Sequence, residues 1–161
     1  MNINKIYADS FDTFKVFDNL DINQASLTNF NSPKSVWQIL NHLIIWQACQ
    51  LEKLQGVNTA DIGETDTWLK DKNIDDQALL DDGIARFHQL NHQVKTEISG
   101  WTIETQDIEF KLKTVQELTV HLSFHLGEII LFLRQNGYYP MPDKMKSFLN
   151  ENKLPIIKNQ L

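Results

Sequence analysis

The stretch from Ser32 to Gly56 constrains the fold more than any other part of this chain. Ser32 suits a helix N-cap, and Pro33 suits the first helical position, where its missing N–H costs nothing. Gly56 suits the left-handed residue that closes a helix. Between these ends lie Trp37, Leu40, Leu43, Ile44, Ile45, Trp46, Ala48, Leu51 and Leu54. Wound at about 100° per residue, they go almost all the way round. A helix apolar on every side has to be covered on every side, by its own bundle or by another subunit.

Three more segments carry helical patterns. The first runs from Asn4 to Asn19, with Ile3, Tyr7, Phe11, Phe14 and either Val16 or Phe17 at three-to-four spacing. Another spans Gln77 to Ser99, with Leu80, Ile84, Phe87, Val94 and Ile98 on one face and Gly100 as its stop. Asp75, Asp76, Asp81 and Asp82 sit at its positive end, where carboxylates are favoured, and lack the oxygen spacing of a calcium loop. The last segment is expected to start at Thr114-Val115-Gln116-Glu117, read as a capping box, and to stop at Asn136-Gly137 before Pro140. Leu118, Leu122, Ile129 and Phe132 form its stripe. Ahead of it, Ile108, Phe110 and Leu112 alternate with Glu109, Lys111 and Lys113, the pattern of a short extended stretch or an ordered loop.

Loop lengths bear on topology. About 20 residues separate the second helix from the third, whereas antiparallel neighbours in bundles need about 2 to 8. The expectation is an all-α four-helix bundle forming one domain over residues 1–161. A crossover leaves helices two and three parallel, with Trp68 tucked in from the crossover.

Composition narrows the function classes. The chain of 161 residues is 42% hydrophobic and 22% charged, values ordinary for a globular domain with a real core. One cysteine, Cys49, excludes an internal disulfide and a cysteine-based zinc knuckle. A net charge of −6 argues against a phosphate backbone as partner, because that affinity comes from Lys and Arg. No run approaches a membrane span, and Met-Asn-Ile-Asn-Lys lacks the apolar core of a secretory signal. A cytoplasmic protein with no nucleic-acid or membrane partner is expected.

Five histidines carry the chemistry: His42, His88, His92, His121 and His125. Two pairs have i, i+4 spacing, which puts both rings on one helix face. Against the stripe of their helix, His88 lies roughly 85° and His92 roughly 125° off centre, so both read as surface residues. His125 falls within about 30° of the centre of its stripe, and His121 at the edge. Two imidazoles aimed at a core need partners, since a buried unsatisfied polar group costs about 1–3 kcal/mol. His42, in an almost wholly apolar helix, is the third inward ring. Three neutral imidazoles bind a divalent ion and leave a position open to water or a substrate atom. The chain has no E-x-x-H pair for a di-iron carboxylate bundle and no H-E-x-x-H of a zincin. Glu128 follows His125 by one turn and suits an orienting partner or proton acceptor. Glu117 is accounted for by capping, and Cys49 by a small buried hydrophobe.

These residues also carry a likeness. Ser35-Val-Trp-Gln-Ile-Leu-Asn-His42-Leu, His121-Leu-Ser-Phe-His125-Leu-Gly127-Glu128-Ile129 and Leu133-Arg134-Gln-Asn-Gly137-Tyr-Tyr-Pro140 resemble the DinB/YfiT family of metalloenzymes. The resemblance implies an up-down-down-up bundle, often dimeric, in which His42, His121 and His125 hold Zn²⁺, Ni²⁺ or a similar ion. It implies a small-molecule substrate and either thiol S-transferase chemistry, with bacillithiol, mycothiol or glutathione as the low-molecular-weight thiol, or metal-dependent hydrolysis. One departure stands out: Glu128 occupies the place where the family usually shows Gln. A charged thiol would call for a cation at the pocket mouth, and Lys34, Lys53 and Lys111 are available, whereas Arg134 projects away from the core stripe. The competing reading is a non-catalytic, stress-associated bundle or dimerisation module with structural histidines.

Overall fold

The computed structural model describes residues 3, 7, 10–28, 34–57, 62–63 and 67–151, and among them all regular structure is helical. In chain order these are α1 (Ile22–Ala25), α2 (Val36–Leu54), α3 (Gln77–Ser99), α4 (Ile108–Gln135) and α5 (Met145–Asn150), with a 3₁₀ turn at Pro142–Lys144. No helix among the described residues is long and apolar enough to cross a membrane.

Local chemistry sets most of these ends. The cap of α2 is Ser35 rather than Ser32, since Ser32 and Pro33 lie outside the described residues and the helix begins at Val36. The Ser35 hydroxyl accepts the Gln38 N–H, while the Gln38 side chain accepts the Ser35 N–H. This reciprocal pairing satisfies two otherwise orphaned donors. At the far end, Gly56 adopts φ +70, and Val57 N–H reaches back to the Glu52 carbonyl at 2.9 Å. That closure needs the left-handed region, which glycine enters without strain. In α3, Asp76 caps the Ala78 and Leu79 N–H groups, and the helix runs from Gln77 to Ser99 with Gly100 as its stop, the bounds the sequence predicts.

Two expectations fail. The four-residue spacing before Asn19 is not one helix: Phe14, Lys15 and Asn19 have φ of 50, 54 and 58, and the chain winds through turns. Left-handed residues cannot continue a right-handed helix. Phe11, Val16, Phe17 and Leu20 are nevertheless buried, so the apolar spacing reports burial without periodicity. Residues 4–6 and 8–9 of that segment lie outside the described residues. The second failure is the start of α4. The helix begins six residues ahead of Thr114, at Ile108, with Asp107 (φ 55) before it. Thr114 is an interior residue whose hydroxyl donates to the Phe110 carbonyl at 2.9 Å, and Glu117 is not a capping partner but sits 3.7 Å from Lys113.

Helix α2 packs along both α3 and α4. Val36, Ile39, Leu40, Leu43 and Leu54 are fully buried against a set that includes Leu80, Phe87, Leu90, Val115, Leu118 and Ile129. Ile44, Ile45, Ala48 and Cys49 are only half-buried, so one side of α2 is less covered than its all-round apolar character predicts. Two contacts fix how α2 meets α3. The Trp37 ring lies against Gly83, where an added Cβ would come within 3.2 Å, and Gln47 donates to Asn91 at 2.8 Å.

Candidate metal centre

His42 sits midway along α2 and is buried; His125 is buried on α4, and His121 is half-buried one turn before it. One ring nitrogen from each of the three lies within 4.8 Å of the others. His42 Nε2 and His121 Nε2 are 3.0 Å apart. Two imidazoles bound to one tetrahedral zinc at about 2.0–2.1 Å would hold their nitrogens at about 3.3 Å, close to this spacing.

The outward nitrogens are supported unequally. His42 Nδ1 lies 2.8 Å from the Thr67 hydroxyl and also hydrogen-bonds the Thr67 backbone. His125 Nδ1 donates to the Glu128 carboxylate at 3.1 Å. Carboxylate and hydroxyl partners of this kind fix the tautomer of a metal-binding histidine and leave its other nitrogen free. His121 Nδ1, by contrast, is buried with no partner. Around the three rings stand Trp68, stacked on His42 at 3.9 Å and 4°, Trp46, 4.5 Å from His121, and Phe124, 5.0 Å from His125.

Burial keeps the cluster neutral. Desolvation, followed by the neighbouring His121 and His125 rings, holds His42 down at about 3, even though its Thr67 bond acts the other way. Desolvation and His125 hold His121 at about 4. Burial also lowers His125, opposed by its bond to Glu128. At neutral pH each ring therefore carries one unprotonated nitrogen able to bind a cation. The donor set fits a divalent ion on two further grounds: two ring nitrogens face each other 3.0 Å apart, and a buried ring nitrogen lacks a partner. Borderline-soft ions with an imidazole preference, Zn²⁺ and Ni²⁺ among them, suit such a set.

The other residues singled out by sequence fall elsewhere. His88 and His92 are exposed on α3. Cys49 is half-buried and outside the cluster. Lys34 lies over the Trp68 ring at 4.6 Å, whereas Lys111 pairs with Glu97 at 3.5 Å. Arg134 donates to the Pro140 carbonyl at 2.9 Å, tying down the chain after α4. Trp68 does tuck against the bundle, and it does so on the site itself. The residue that sequence reasoning missed is Thr67, for which no spacing or motif gives a signal.

Compared with protein-family models, curated proteins and solved structures, the chain matches none.

Proposed function

We propose that this chain is a metal-dependent enzyme of the DinB/YfiT kind, in which His42, His121 and His125 hold one divalent ion, Zn²⁺ or Ni²⁺. The observation that carries the proposal is the convergence of three neutral imidazoles within 4.8 Å, two of them with their outer nitrogens already engaged. A bound ion would supply Lewis-acid chemistry toward a thiol or a carbonyl substrate. The reaction is then S-transfer with a low-molecular-weight thiol or hydrolysis of a small molecule.

The chain's own residues take the remaining parts. Glu128 orients His125, and its carboxylate, 27% exposed, is placed to accept a proton from a substrate arriving from solvent. Trp46, Trp68 and Phe124 wall the rings and lower the local dielectric. Lys34, over Trp68, brings a positive charge to the same side as His42 and suits an anionic substrate.

In the bundle proposed for this function, α2, α3 and α4 run down-down-up. Support comes from the Trp37–Gly83 and Gln47–Asn91 contacts, which advance together along α2 and α3. Trp46 against His121 and His42 against His125 advance in opposite senses along α2 and α4. The deciding experiment is metal content by plasma mass spectrometry on tag-free protein purified without chelators or nickel resin, beside His121→Ala. The expected result is near one ion per chain, lost in the variant. Metal-free wild type that also declines added Zn²⁺, Ni²⁺ and Mn²⁺ overturns the proposal.

A further inference from the structure

The segment between α2 and α3 does more than connect them. Thr67 is fully buried, and its hydroxyl lies 2.8 Å from His42 Nδ1. Its backbone bonds the same ring in a way that favours the protonated nitrogen, as a carbonyl acceptor does. Trp68, the next residue, lies flat on the His42 ring at 3.9 Å and meets His125 edge-on at 5.8 Å. One residue further, the Leu69 carbonyl accepts from the Gln38 side chain at 2.7 Å. Gln38 is buried, and its side-chain oxygen completes the cap of α2. Three successive residues are therefore anchored to one helix, two of them at His42 and the third at Gln38, one turn before it.

We propose that Thr67 and Trp68 form a clamp that presets His42 for the three-histidine site. Thr67 takes the Nδ1 proton, Trp68 fixes the ring plane, and the Nε2 lone pair is left facing His121 and His125. Both are positioning residues, acting through His42 rather than on a ligand. The clamp rests on the three-histidine reading for its purpose but not for its existence, since every contact in it is made by the chain itself.

The clamp also bears on how closely the rings stand. With His42 protonated on Nδ1, its Nε2 accepts a hydrogen bond from His121 Nε2–H across 3.0 Å. His121 Nδ1 is then a bare lone pair, consistent with its having no hydrogen-bond partner. If His42 carried its proton on Nε2 instead, Nδ1 could only accept from the Thr67 hydroxyl.

The test uses Thr67→Val, which removes the hydroxyl and keeps the shape, beside Thr67→Ser, which keeps the hydroxyl. In metal-free protein at pH 7, ¹⁵N-detected imidazole spectra report which His42 nitrogen carries the proton. The expected wild-type result is Nδ1–H, retained in Thr67→Ser and shifted toward an Nε2–H mixture in Thr67→Val. Zn²⁺ affinity, read by competition with a chromophoric chelator, should then fall about tenfold in Thr67→Val and stay within about twofold in Thr67→Ser. An Nε2–H wild type, or a Thr67→Val spectrum identical to wild type, overturns the clamp. Wild type that fails to bind Zn²⁺ sinks the metal reading instead, and the spectra still decide the clamp. Should Thr67→Val not fold, Trp68→Leu replaces it, with mixed His42 tautomers expected and an unchanged Nδ1–H signal counting against the proposal.

Discussion

His121 is the least supported of the three rings, and its environment makes a prediction about pH. Its folded-state pKa is about 4, below the ordinary value of 6.5, because burial and His125 disfavour a second positive charge. The unfolded chain takes up a proton as pH falls through about 6.5, while the folded chain resists until about 4. Stability from this group is therefore complete above pH 6.5 and is lost on the way down to 4. Near pH 5 the group adds about 1.4 kcal/mol per pH unit to the slope of unfolding free energy. Urea unfolding of metal-free protein at several pH values should show that slope reduced by about this amount in His121→Asn; parallel slopes would contradict it. Glu128 makes a second residue-scale prediction. Glu128→Leu deprives His125 Nδ1 of its acceptor and should weaken Zn²⁺ binding about 10–100-fold. Glu128→Gln keeps an acceptor oxygen and should lose less than about tenfold, by the same chelator competition.

At the scale of helices, two mid-helix glycines separate packing from propensity. A Cβ on Gly83 would sit 3.2 Å from the Trp37 ring, on the seam between α3 and α2. Gly83→Ala should destabilise by about 1–3 kcal/mol through overpacking, partly offset by better helix propensity. A Cβ on Gly127 meets nothing within 4 Å, so Gly127→Ala should stabilise by about 0.5–1 kcal/mol. Denaturant unfolding of the pair checks the sign of each, and equal shifts would mean the Trp37 contact is not close. The same scale shows what was legible in the sequence. Helix α3 was readable from end to end because Asp76 and Gly100 cap it and its polar and apolar faces are distinct. The closures of α2 and α4 were readable because Gly56 and Gly137 take the positive φ that glycine tolerates. The first segment was not, because apolar residues at helical spacing can be buried equally well by turns that Asp12 and left-handed residues impose. The first two turns of α4 were misread because Ile108, Phe110 and Leu112 alternate, although in the helix Phe110 is simply exposed. His42, His121 and His125 were found by projecting helices, which carries direction; Thr67 could not be, because the segment between α2 and α3 has no period to project.

At the scale of the whole molecule, a dimer of the kind the family resemblance implies would have one physical location. Val120, Phe124 and Leu131 on α4 are 63%, 67% and 54% exposed, large values for such side chains. Spaced at four and seven residues with Gly127 between, they line one face of the helix, and the missing side chain at Gly127 allows a facing backbone to approach. An apolar row of this length is the mark of an interaction surface rather than of scattered exposure. The row borders the histidines through Phe124 but contains none of them. A second copy seated there therefore covers the row and leaves the ligands to one chain. Each copy carries −6, so association has to overcome like-charge repulsion and draws its strength from apolar area. Added salt screens the repulsion and should tighten the dimer, the reverse of an interface built on ion pairs. Sedimentation at micromolar concentration should accordingly give twice the chain mass of 18.7 kDa for the wild type, more firmly at higher salt. Leu131→Asp places a charge at one end of the row and should sediment as a monomer while keeping its Zn²⁺ stoichiometry. A monomeric wild type would remove the second copy from the row, and a variant that loses dimer and metal together would place a ligand from each copy in the same site.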